Sequence, residues 1–214
     1  MTAPDVKQAA IDAVLKRVAE EGLEVVRISF ADQHGILRGK TIMADALESA
    51  FRSGIAMTST LLLKDTSHRT VFPVWQEDAG FGAGRLTGAG DVLMRPDPTT
   101  FKTLPWSPHS GWMQADLTDT DGSPLEVCSR GILRRAVEKL NAHGYDLVTG
   151  LEVEFHVLRV TDPKLGHEDT GQPETPAETE LLAHGYQYLT EARYDALEDV
   201  MDDLRRDCQK LELP

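Results

Sequence analysis

An α+β fold is predicted for this 214-residue chain on three observations. Apolar residues alternate along two adjoining segments near the N-terminus, as in a β-hairpin, and recur at helical spacing in the segments that flank them. A hydrophobic content of 41% is enough to bury a core. The expected organisation is a small N-terminal domain over residues 1–108 and a second region over 109–214, divided near Pro108.

The elements follow in chain order. Residues 5–21 place Val6, Ala10, Ala13, Val14 and Val18 at helical spacing, with Gly22 where a C-terminal cap belongs. "LEVVRISFADQHGILRGKTI" reads as two strands joined by the turn Asp32-Gln33-His34-Gly35, with Val26, Ile28 and Phe30 on one face. "ADALESAFRSG" is a short helix closed by Gly54, and a hairpin leading into a helix begins a β-grasp or similar α+β domain. Residues 76–90 are glycine-rich and read as a flexible surface loop; Gly82-Ala83-Gly84 lacks both the full dinucleotide fingerprint and a P-loop lysine. "DVLMRPDPTTFKTLPW" gives a strand stopped by Pro96 and Pro98, and "GWMQADLTDTDGSPLEV" a strand followed by an Asp121-Gly122 turn.

Beyond Pro108, "SRGILRRAVEKLNAHG" is a helix capped by Ser129, with Ile132, Leu133, Ala136, Val137 and Leu140 on its apolar face and Gly144 at its end. "GLEVEFHVL", residues 150–158, reads as a β-strand. A polar, proline-bearing loop follows, and then a helix whose stripe of Leu197, Val200, Met201, Leu204, Cys208 and Leu211 places Cys208 in core packing.

A formal charge of −13 with no basic stripe argues against sequence-independent nucleic-acid binding. The N-terminus lacks the pattern of a signal peptide, and no stretch is long and apolar enough to span a bilayer, so a cytoplasmic protein is expected. Cys128 and Cys208 are far apart and read as two reduced thiols.

The chemistry centres on Glu152 and Glu154. Two apart on a strand, they would share a face at roughly 6.5–7 Å. Carboxylates at that separation repel by about 2.4 kcal/mol at an effective dielectric of about 20, so water or a cation must compensate. Spacing alone favours a solvated outer face over a metal site, but His156, Leu158 and Val160 continue that face with a pattern less suited to water. Hard oxygen donors in this arrangement suit Mg²⁺ or Mn²⁺, so both readings stay open.

Three local phrases resemble the glutamine synthetase family. "VRISFADQHGILRGKTI" is similar to the first hairpin of its N-terminal β-grasp domain, "GDVLMRPDPTTFKTLPW" to the segment ending that domain, and "GLEVEFHVL" to its G-x-E-x-E-F strand. The resemblance runs from about Val26 to Pro214. It implies a β-grasp domain followed by the first part of a glutamine synthetase-type α/β catalytic domain, truncated at its C-terminus.

By the resemblance, the activity is ATP-dependent ligation. The ATP γ-phosphate passes to the side-chain carboxylate of glutamate, and ammonia or an amine attacks the acyl phosphate. Glu152 would hold the Mg²⁺ or Mn²⁺ that bridges the ATP phosphates, and Glu154 the ion near glutamate and the incoming amine.

Ammonia-using members carry an Asp-Gly-Ser-Ser segment, whose aspartate helps to bind ammonium. Here Thr58 stands near that place and Asp65 is the nearest acid, which resembles relatives that make γ-glutamyl amides from organic amines. Thr58 and Asp65 are therefore candidate acceptor-site residues, with a plain turn aspartate the competing reading of Asp65. Family members are longer, form rings and carry further ligands, so the resemblance implies a homo-oligomer or a completing polypeptide, and an isolated chain that is inactive. A non-catalytic interaction or regulatory protein of the same descent is the alternative.

Overall fold

The computed structural model describes residues 3–76, 87–162, 166–171, 173–183 and 189–213. Gly82-Ala83-Gly84 and most of the glycine-rich loop lie outside those residues, as do parts of the proline-bearing loop. The chain divides into two compact units, one of Met1–Thr66 and Thr70–Leu147, the other of Ser67–Arg69 and Val148–Pro214.

The first unit is mixed α+β, built on one curled sheet. β1 (Val25–Ala31) and β2 (Leu37–Met43) form the expected hairpin, turned at Asp32–Gly35 with Gly35 at φ +78°. β3 (Ile55–Thr58) pairs antiparallel with β4 (Asp91–Pro96), and the two-residue β5 (Lys102–Thr103) precedes β6 (Ser110–Thr118). β6 runs parallel to β1 through residues 110–114, and its other edge takes β5 and then β4, both antiparallel. The strand order is β2-β1-β6-β4-β3.

Alternation on these strands sets the core. Val26, Ile28 and Phe30 of β1 meet Met113, Ala115 and Leu117 of β6 and Val92 and Met94 of β4 in one buried cluster. α1 (Ala3–Glu20) adds Val14 and Val18 with Leu15 beside them, whereas Val6 and Ala13, assigned to the same face by spacing, are exposed. α2 (Leu47–Ser53) buries Leu47 and Ala50 and ends at Gly54, whose φ of +76° suits glycine.

The expected boundary near Pro108 cuts this sheet. β6 lies beyond it yet forms backbone bonds to β1 and β4, so the compact unit runs on to Leu147. α3 (Ser129–Asn141) belongs to the same unit. Ser129 is not its cap: Cys128 holds that position, and the Ser129 hydroxyl donates to the Ala31 carbonyl at 2.6 Å. Arg130 anchors the helix further, donating to Asp97 at 2.5 Å and to Asp116 at 3.0 Å. No side chain of α3 is buried, and Ile132 and Leu133 of its apolar face are exposed.

In the second unit β7 (Leu158–Val160) pairs antiparallel with β8 (Thr179–Leu181), and α4 (Glu191–Asp195) precedes α5 (Glu198–Lys210). The strand expected over 150–158 forms only from Leu158 onward. A strand persists where a neighbour accepts its backbone hydrogen bonds, and β8 matches three residues. Among the described residues of this unit none is buried, and Cys208 is exposed, contrary to the core packing read from its stripe. No helix among the described residues is long and apolar enough to cross a membrane.

Two predictions concern the hairpin. Gly39 pairs with Ser29, and a Cβ there would run into the Ile28 carbonyl. Gly39→Ala should cost about 3 kcal/mol in urea unfolding, and an unchanged midpoint would refute the register. The second concerns the buried Asp32. Burial opposes its ionisation, but hydrogen bonds from Arg38 and from the His34 and Ile36 backbone outweigh that cost and hold the carboxyl below its usual value. A depressed carboxyl stabilises the fold above its unfolded-state pKa of about 3.9, and this contribution is lost as pH falls through the folded value. Stability should drop steeply below about pH 4, and less steeply in Asp32→Asn; parallel acid-unfolding curves would contradict this.

Candidate functional site

The acceptor candidates sit on one short segment of the first unit. Thr58 ends β3 opposite Asp91, and its hydroxyl caps the 3-10 turn Ser59–Leu63. Its Oγ1 lies 3.0 Å from Thr60 Oγ1, accepts from the Thr60 backbone N–H at 3.4 Å and donates to the Ala89 carbonyl at 3.3 Å. Leu62 and Leu63 are buried beneath the turn. The chain then reaches Lys64, whose carbonyl accepts from His34 Nε2 at 3.0 Å and whose ammonium donates to Thr70 at 2.9 Å. Because a carbonyl only accepts, that contact places the proton on Nε2 of His34. Asp65 follows directly and is half-buried. Thr58 and Asp65 are thus the two ends of one pinned turn, held at the first by a cap and at the second by the tip of the β1–β2 hairpin.

The carboxylate candidates lie in the second unit. Residues 150–157 have no regular secondary structure, and Glu152 and Glu154 are exposed, as are Leu151, Val153 and Phe155 around them. Open to water, the two carboxylates are hydrated and accessible to a cation. Their hard oxygens fit Mg²⁺ or Mn²⁺ in kind. They do not fit in number: among the described residues no three His, Cys, Asp or Glu side chains gather into a metal-sized group. The two pairs of candidates are therefore each brought together within a unit, as ends of one turn and as near neighbours in one segment.

Sequence reasoning missed the charged cluster at the start of α3. Burial opposes ionisation of Asp97, but hydrogen bonds from Thr99 and Arg130 outweigh it, and the carboxyl lies below its usual value. Arg130 bridges Asp97 and Asp116, while Arg134 reaches Asp116 at 2.9 Å. The signal was present in one aspartate just after β4, another within β6 and an arginine in the first turn of the next helix, but nothing in local spacing joins them.

Comparison with known proteins bears on the whole chain. The family described as "Glutamine synthetase, catalytic domain" matches residues 126–214, a span that includes Glu152 and Glu154. A gamma-glutamylanilide synthase from an Acinetobacter species is 38% identical over 216 residues, covering 98% of this chain and 43% of that protein. A gamma-glutamylethanolamide synthetase from Streptomyces coelicolor is 36% identical over 147 residues, covering 67% of this chain and 30% of that protein. The chain thus spans less than half the length of either relative. Among solved structures, one titled "Apo GmaS without ligand" matches with a TM-score of 0.57 at 20% identity, covering 92% of this chain and 39% of that one, a likeness of fold.

The pinned turn makes a testable demand. Thr58→Val removes the cap and the bond to Ala89 and should cost about 1 kcal/mol, while Thr58→Ser retains most of it. Equal melting temperatures for Thr58→Val and the parent would show that the cap holds nothing.

Proposed function

Because the chain belongs to the glutamine synthetase family, close to its γ-glutamyl-amine ligases, we propose that it forms part of an ATP-dependent ligase joining the side-chain carboxylate of glutamate to an organic amine. The observation that carries this reading is the 38% identity to a gamma-glutamylanilide synthase, sustained over 98% of the chain. In the proposed reaction a side-chain carboxylate oxygen of glutamate attacks the γ-phosphorus of ATP and displaces ADP, and the neutral amine then attacks the acyl carbon, loses a proton and expels inorganic phosphate.

The proposed roles follow from chemistry and position. Glu152 and Glu154 would contribute carboxylate oxygens to Mg²⁺ or Mn²⁺. Such an ion, when bound, neutralises charge on the phosphoryl group in transfer and orients it. Two carboxylates leave most of an oxygen-rich coordination shell to water, to substrate and to residues outside this chain's described set. We propose that those residues come from further polypeptide or from a neighbouring copy in a homo-oligomer. The first unit is proposed to be a β-grasp domain, a reading supported by its leading hairpin and by the central parallel pair of β1 and β6.

Thr58 and Asp65 are proposed to face the acceptor. Ammonium needs a negative partner that also removes a proton, whereas an organic amine brings a body that needs room. A capping threonine at position 58 supplies no charge, which suits the second acceptor. Asp65 would then be the carboxylate nearest to the incoming nitrogen.

Calorimetry with Mn²⁺ tests the metal assignment. Binding should weaken at least about tenfold, roughly 1.4 kcal/mol, in each of Glu152→Gln and Glu154→Gln. Affinity unchanged in both would remove these residues from the metal site. Phosphate release by the complete enzyme, with glutamate and a panel of amines, should exceed that with ammonium; ammonium as the best acceptor would overturn the amine reading.

A further inference from the structure

The first unit contains a basic groove that no part of the ligase reading uses. Lys7 of α1, Arg52 of α2, Arg95 of β4 and Arg134 and Arg135 of α3 line one cavity of about 420 Å³, and Asp116 is the single acidic side chain in its wall. Asp116 is already neutralised by Arg130 and Arg134. The side chains of Lys7 and Arg52 have no ion pair or hydrogen bond among the described residues. Arg95 donates from Nε to Thr118 at 3.3 Å, which directs its two terminal nitrogens elsewhere, and Arg135 donates to the Glu126 carbonyl at 3.0 Å.

The backbone makes room for these guanidinium groups. A Cβ on Gly54 would stand 3.1 Å from the Met94 carbonyl and 3.2 Å from Cδ and Nη1 of Arg95, and one on Gly131 would stand 3.3 Å from Nη1 of Arg135. Gly131 lies in the first turn of α3, where glycine costs helix stability, so space for Arg135 is a physical reason for its presence. Phe51 and Leu125 give the same cavity apolar walls.

We propose that this groove binds a small organic anion carrying at least two oxyanion groups, carboxylate or phosphate. Convergent cations repel one another unless an anion sits among them, and guanidinium forks match the two oxygens of a carboxylate or phosphate. The volume lies in the range of small-molecule sites, and the apolar walls suit a carbon skeleton. In a chain of net charge −13 such a patch is local. It was invisible as a basic run because its members are spread from position 7 to position 135.

The test is calorimetry and amide NMR on the chain in metal-free, low-salt buffer, with citrate and inorganic pyrophosphate as probes. One site per chain is expected for at least one probe, and the preferred probe tells carboxylate from phosphate chemistry. Binding should weaken tenfold or more in Lys7→Glu and in Arg52→Glu. It should be unchanged in Lys16→Glu, which reverses an exposed α1 cation that does not line the groove. Amide shifts should centre on Arg52 and Gly131, which line the groove from α2 and α3. Lys7 and Arg52 are exposed, so circular dichroism should show both variants folded; Arg52→Gln, with an intermediate loss, covers the case in which charge reversal disturbs the fold. No saturable binding of either probe, affinity indifferent to both groove variants, or shifts confined to another surface would each overturn the proposal.

Discussion

The first unit depends on β6 having both edges occupied. Its first half bonds to β1 in parallel and its second half to β4 in antiparallel fashion. The same nine residues direct Met113, Ala115 and Leu117 into the core. A parallel pair cannot be closed by a tight turn, so the chain between β1 and β6 must make a long excursion. That excursion holds α2, the β3–β4 pair and the turn bearing Thr58 and Asp65. The placement of the acceptor candidates is therefore a by-product of how the sheet closes.

Legibility in the sequence followed the range of the forces involved. The hairpin, α2 and α3 were readable because alternation, helical spacing and terminal glycines act over a few residues. Val6 was misplaced because spacing defines a stripe but not where the supporting core stops. The sheet runs on past Pro108 for a related reason: proline marks a local interruption, whereas the pairing of β6 with β1 joins residues far apart in sequence. The strand over 150–158 shows the complementary limit, since alternation specifies a strand's faces without supplying its neighbour.

The candidate sites divide along the same line. Glu152 and Glu154 could be named as candidates because their spacing is local and resembles a known motif. The bond from Thr58 to Ala89 and the tether from His34 to Lys64 required coordinates, because both join residues about thirty positions apart in sequence. The Asp97–Arg130–Asp116 cluster was missed because three elements contribute one residue each. Leu151, Val153 and Phe155 are exposed, so none of the described residues covers the apolar side that alternation assigns to this segment.

The strand order also has a consequence for synthesis on the ribosome. β6 occupies an interior position in the sheet but is the last of the first unit's strands to be made. Until Thr118 has left the exit tunnel, β1 and β4 lack the neighbour that joins them. The sheet can therefore close only once residues 110–118 are available to pair with both β1 and β4.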